Sequence, residues 1–330
     1  MPEVITINKD TDHFFLAICK KDVHSFLMLG LYDQNQVSHL LCRVGKVFDH
    51  DNEEEDDCFT ANKRLAHFIF SSTNGIINDE RTYRNNKGET PISYQAYDIS
   101  YQQYKEFIQL LEGLQTDRNK FKCYKPIKEE GSQVSLKLTS DLVFQQRKEM
   151  DDLINNTSQL GLGNTCRHTA IRLAEEVHHA PTSSLVSSSY FRDLPYTTQL
   201  DFGVPSADIP FYVLPVSPTA YPSLDENKRG ILFKLYSRME HMLLIDPHSE
   251  QTKIKFQSLK DLYNQIAGPQ KDLSLDELLF SIQTWKQAHK DNLNVLRVTY
   301  FWDSLITRQS ATSKLITEIE QDLQQATQLQ

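Results

Sequence analysis

His13-Phe14-Phe15-Leu16-Ala17-Ile18-Cys19, then Lys20-Lys21-Asp22, then Val23-His24-Ser25-Phe26-Leu27-Met28-Leu29-Gly30-Leu31-Tyr32: this stretch sets the architecture. Two apolar runs of strand length flank a short polar turn, which predicts an antiparallel pair. The second run is apolar at successive positions, so both of its faces are buried and it belongs inside a sheet. Asp33-Gln34-Asn35-Gln36 supplies the next turn. Residues 37–48 continue the meander as a third strand.

Working outward, residues 92–99 read as a further strand. Ser100 with Gln103 three positions on is a capping box. The helix that it opens runs to about Leu114 and is apolar along Tyr104, Phe107, Ile108, Leu110 and Leu111. Residues 115–135 are polar and loop-like, and residues 141–155 form another helix. A tight connector at 161–165 leads into a helix opening at Cys166 and continuing through Ile171, Leu173, Ala174 and Val177. Residues 181–189, rich in Ser and Pro, are expected to be a loop, and 209–214 a short strand. After Pro222 the character changes: 225–245, 258–267, 274–290 and 311–328 carry helical periodicity, with a second capping box at Ser274 and Glu277. The expected fold is α+β, an antiparallel sheet with packed helices over 1–222, followed by a mostly helical region over 223–330. The apolar stripe Leu275, Leu278, Leu279, Ile282 and Trp285 reads as core before it reads as a partner surface.

The formal net charge is −9 over 330 residues. That balance disfavours nucleic acid and anionic lipid as partners, because phosphate contacts need Lys or Arg. The cluster Lys120, Lys122, Lys125 and Lys128 adjoins Glu129 and Glu130, and reads as a solvated loop. The acidic run at 49–57 reads the same way, since it lacks the glycine of an EF-hand loop. The five cysteines, Cys19, Cys42, Cys58, Cys123 and Cys166, form no CxxC pair, which argues against a zinc ribbon or redox dithiol and for reduced thiols. No metal or cofactor is called for. The N-terminus has no cationic region followed by an apolar stretch, so no Sec signal is expected. No window approaches 18 uninterrupted apolar residues, so no transmembrane segment is expected either.

The chemistry centres on Gly163-Asn164-Thr165-Cys166-Arg167-His168. A glycine-containing loop delivers a cysteine into the first turn of an amphipathic helix. Free backbone N–H groups and the helix dipole there favour thiolate over thiol, and the same N–H groups suit an oxyanion. His168 lies on a different helix face and cannot easily reach Cys166. A lone histidine opening a buried strand needs a partner, and His24 is therefore the candidate base.

An early strand carrying His24 and, six residues on, Gly30, followed much later by Cys166 at a helix N-terminus, resembles the circularly permuted papain-like families. These include the lecithin–retinol acyltransferase-like proteins and the permuted NlpC-type peptidases. Tyr97-Asp98-Ile99-Ser100 leading into a helix is similar to the latter group. The resemblance implies a Cys166–His24 site with Asn164 and Thr165 as oxyanion or positioning groups. It also implies a second histidine orienting the first, and His39 is the candidate. Hairpin arithmetic sets His39 opposite about Leu29, some five residues from His24, and the residues nearer His24 offer only Cys42, Arg43 and Lys46 as polar side chains. Ser187-Ser188-Ser189-Tyr190-Phe191, Leu194-Pro195, residues 210–215 and the acidic tail with Glu318, Glu320 and Asp322 resemble thiol-site effectors of Legionella-type bacteria. This implies type IV secretion into a host cytosol and a host protein or peptide substrate, with a cytoplasmic location otherwise. Two functions follow: a hydrolase or transferase acting on an amide, isopeptide or acyl group, or an inactive papain-like scaffold that binds a host protein.

Overall fold

The computed structural model describes residues 2–22, 24–33, 36–49, 73–80, 92–117, 119–144, 150–182, 184–186, 194–198, 209–268, 273–296 and 309–328. The acidic run from 50 to 57, Cys58, and residues 187–191 lie outside them.

The meander is present: β2 (His13–Lys21), β3 (His24–Asp33) and β4 (Gln36–Phe48) pair antiparallel in succession. They form the middle of a larger sheet ordered β10-β6-β2-β3-β4-β5-β9, with β5 at Thr73–Asp79, β6 at Ile92–Ile99, β9 at Gln159–Leu160 and β10 at Thr197–Thr198. Because β3 is flanked on both sides, its run from Ser25 to Tyr32 is buried throughout. A second sheet holds β1 (Val4–Asn8), β8 (Gln133–Thr139) and β7 (Cys123–Glu130).

This second sheet overturns the expected loop at 115–135. Lys125, read as solvated, is wholly buried in β7. Its ammonium meets the Glu112 carboxylate at 2.8 Å, and Glu112 accepts from the Val143 and Phe144 N–H groups. The helix expected over 141–155 is shorter, α2 at Asp151–Ser158, and the expected strand at 209–214 contracts to β11 at Val213–Leu214.

The helix after β6 is α1 (Tyr101–Gly113), with the Ser100–Gln103 capping box formed. The helix opening at Cys166 is α3 (Cys166–His178). Strand alternation sorts the central side chains into two faces. Ser25, Leu27, Val44 and Lys46 look toward α3, and with Thr169, Ala170 and Leu173 enclose a cavity of about 10 Å³. Phe14, on the same face, stacks on Tyr104 of α1 with ring centres 5.3 Å apart. The opposite face carries Phe26, Arg43 and Phe15, and Phe211 packs there against Phe15 and Tyr94.

The chain divides into two compact units, Met1–Val213 and Leu214–Gln330. The second is helical among its described residues: α4 (Glu226–Ile245), α5 (Glu250–Ala267), α6 (Leu275–Ala288), α7 (Lys290–Asn294) and α8 (Ala311–Gln328), after a 3₁₀ turn at Pro218–Ala220. Of the stripe, Leu275, Leu278, Ile282 and Trp285 are buried and Leu279 is half-buried. No helix among the described residues is long and apolar enough to cross a membrane.

Candidate active site

Cys166 is the first residue of α3, and Thr165 caps the helix. The Thr165 hydroxyl accepts from the His168 N–H at 3.5 Å, and His168 Nδ1 accepts from the Thr165 N–H at 3.2 Å. His168 is thus spent on the cap. Burial, then the charges of Arg167 and Lys46, hold its imidazole below the ordinary value, as an accepting Nδ1 requires.

Beneath the loop lies Lys46 of β4, only 2% exposed. Its ammonium donates to the carbonyl of Asn156 at 2.7 Å, to the carbonyl and side-chain oxygen of Asn164 at 3.3 and 3.0 Å, and to the Thr169 hydroxyl at 3.1 Å. Burial lowers the Lys46 pKa to about 8. The Asn164 amide donates to the Asn156 carbonyl at 2.7 Å. Asn164 therefore fixes the loop, and its amide is not turned toward an oxyanion at the sulfur.

The sulfur sits at the end of the sheet. The Ser25 N–H donates to Cys166 Sγ at 3.3 Å, and the Arg167 N–H donates to the same atom. His24 is the first residue of β3, beyond the last β3–β4 pair, Phe26 with Gly45. At that end its ring interacts with the Cys166 sulfur, while Nε2 meets the Glu80 carboxylate. Glu80 follows β5 directly and is 1% exposed; its N–H donates to the Arg43 carbonyl at 3.0 Å. The Arg43 guanidinium lies 3.7 Å from the second Glu80 oxygen and 4.3 Å from the Phe26 ring centre. Phe26 in turn stacks on the His24 ring at 5.7 Å. Gly45 leaves room for the pair: a Cβ there would stand 2.1 Å from Glu80 Oε1 and 2.8 Å from His24 Nε2.

Burial alone would push His24 down and Cys166 up. The sulfur and the Glu80 carboxylate outweigh burial at His24 and lift it to about 9. The His24 hydrogen bond and charge, with the Ser25 and Arg167 N–H groups, bring Cys166 below its ordinary value. Each partner favours the charged form of the other, so the pairing shifts the site toward thiolate and imidazolium.

Of the residues expected from sequence, Cys166, His24, Thr165 and Asn164 come together. His39 does not. It is exposed and faces Leu31, seven positions along β3 from His24, roughly 23 Å at strand rise. The register shift between Leu31 and Tyr32 carries it one position further off than a plain hairpin would. Glu80 occupies the orienting position that His39 was expected to fill. Among the described residues no group of three or more His, Cys, Asp and Glu side chains is placed to hold a metal ion.

No protein-family model matches the chain, and neither curated proteins nor solved structures yield a match.

Proposed function

We propose that this chain is a thiol hydrolase or acyl/amide transferase of circularly permuted papain-like type. The observation that carries the reading is the row Cys166–His24–Glu80: a sulfur at a helix N-terminus, an imidazole bonded to it, and a buried carboxylate behind the imidazole. A structural cysteine has no need of that third member. Cys166 would attack an ester, amide or isopeptide carbonyl. The C–S bond forms, and the negative charge on oxygen is met by the Cys166 N–H, which opens α3 and has no intrahelical acceptor. The His24 imidazolium then gives its proton to the leaving group as the tetrahedral species collapses to a thioester. In the second half a water or acceptor nucleophile, deprotonated by neutral His24, attacks the thioester and releases the sulfur. Glu80 keeps the ring oriented and its charged form favoured throughout.

The order His24 before Cys166, with the cysteine helix against an antiparallel sheet, is what aligns this chain with the permuted families. The assignment as a secreted effector acting on a host protein rests on the sequence resemblance of its second half.

Iodoacetamide at pH 6, read by peptide mass spectrometry, tests the chemistry. Cys166 is expected to be labelled well before Cys19, Cys42, Cys58 and Cys123, and the order should vanish in His24→Ala. Equal, slow labelling of all five thiols in the native chain would overturn the enzyme reading in favour of an inactive scaffold.

A further inference from the structure

Four side chains form one row of alternating charge: Cys166, His24, Glu80 and Arg43. Only the first three are needed for thiol chemistry. The fourth is 4% exposed, on the sheet face away from α3, and reaches the row through Glu80 and the Phe26 ring. With it, the row sums to zero charge. Without it, the Lys46 ammonium still bears on the thiolate, but the buried Glu80 carboxylate is left with the shared imidazolium alone.

We propose that Arg43 is a positioning residue of the site: the counter-cation that lets the Cys166 sulfur and the Glu80 carboxylate be ionised together around one protonated His24. This inference rests on the thiol-enzyme reading above. The geometry fits the role in three respects. The guanidinium stands beyond the carboxylate, so its charge acts on Glu80 more strongly than it repels His24. The Glu80 N–H is bonded to the Arg43 carbonyl, which locks the two residues in register. The Phe26 ring touches both groups, stacked on the imidazole and covered by the guanidinium. The other ionisable groups facing the row do not replace it. From β2, Cys19 faces Arg43 and Glu80 with its thiol pushed up by burial, and Lys21 is the cross-strand partner of His24. From β4, Lys46 bears on the Cys166 sulfur, and its hydrogen bonds go to Asn156, Asn164 and Thr169 and none to Glu80. From α3, Arg167 donates to the Val186 and Ser184 carbonyls, and His168 serves the cap. Asp79, beside Glu80, accepts from the Lys122 N–H.

The test is the pH dependence of Cys166 carbamidomethylation in the full chain, resolved by peptide. In Arg43→Met the half-point of the thiolate is expected to move up by about one pH unit, slowing alkylation about tenfold at any pH below the native half-point. Arg43→Lys, which keeps the charge, should recover most of that loss. The double variant Arg43→Met/Glu80→Gln removes both buried charges and should return toward the native rate. Glu80→Gln alone leaves a surplus positive charge and should alkylate at pH 6 no more slowly than the native chain. If Arg43→Met does not fold, these last two variants carry the test. A native-like curve for folded Arg43→Met, a double variant as slow as Arg43→Met, or slowing in Glu80→Gln would overturn the role of Arg43. A native chain in which Cys166 alkylates no faster than the other thiols would remove the thiol-enzyme reading itself, and this inference with it.

Discussion

At the scale of single residues, the base and its carboxylate set the pH window of the proposed reaction. His24 is lifted to about 9 and Cys166 is lowered, so the paired charged form spans the interval between those two values. Turnover should rise with pH through the depressed Cys166 ionisation and fall through about 9, where His24 loses the proton that the leaving group needs. Glu80→Gln removes a support of the imidazolium, so the alkaline limb should move toward 6.5, with turnover at pH 8 down by about tenfold or more. The stability consequence has a definite sign. The folded pKa of His24 exceeds its unfolded value of 6.5, so its contribution is complete below 6.5 and is lost as pH rises toward 9. Cys166 acts with the opposite sign over the same range, because its folded pKa lies below its unfolded 9.0, so the paired charges should leave urea unfolding of the native chain with little net slope between pH 6.5 and 9. An unchanged alkaline limb in the variant would contradict the assignment of Glu80. The sequence makes Cys166 and His24 legible because each violates an expectation of its element, a thiol at a helix start and an imidazole opening an apolar strand. Glu80 violates nothing. It is a carboxylate after a strand among other polar residues, and only the β4–β5 pairing brings it beside Arg43.

At the scale of elements, the nucleophile loop is held from below by one ammonium. Lys46 gathers oxygens from α2, from the loop and from α3, and so fixes where the first turn of α3 begins. Lys46→Met strands those acceptors and is expected to cost about 2–4 kcal/mol in urea unfolding at pH 7, hydrogen bonds to a charged donor being the stronger kind. Cys166 alkylation at pH 6 should slow as well, since a cation near the thiolate is lost. A variant as stable as the native chain would show that the loop positions itself. Sequence reading succeeds for β2, β3, β4 and α1 because apolar periodicity and a capping box are local signals. It fails at β7, Cys123–Glu130, where two Lys and two Glu hide the strand, and at β8, Gln133–Thr139, whose alternating Val134, Leu136 and Leu138 are a short signal inside a polar stretch. Their pairing with each other and with β1 at the far end of the chain decides their structure, and no local window contains that information.

At the scale of the molecule, stability of the first unit leans on a buried ion pair far from the proposed chemistry. Lys125 and Glu112 join β7 to α1, with the Asp141 carbonyl accepting from the same ammonium at 2.6 Å. Lys125→Met leaves the carboxylate buried without its cation and is expected to destabilise the chain by about 3–5 kcal/mol. Adding Glu112→Gln should recover part of that loss, read from urea midpoints. A single variant within about 0.5 kcal/mol of the native chain would mean that the Val143 and Phe144 N–H groups satisfy Glu112 unaided.

Ser25, whose N–H touches the sulfur, and Cys166 are 141 positions apart. No fragment lacking either end of that span owns an activated thiol, and an unfolded chain carries only an ordinary one. Nucleophilicity is thus a late product of chain assembly: a half-made polypeptide is chemically quiet, and the first appearance of fast alkylation during refolding would time the moment at which the two ends of the sheet unit meet.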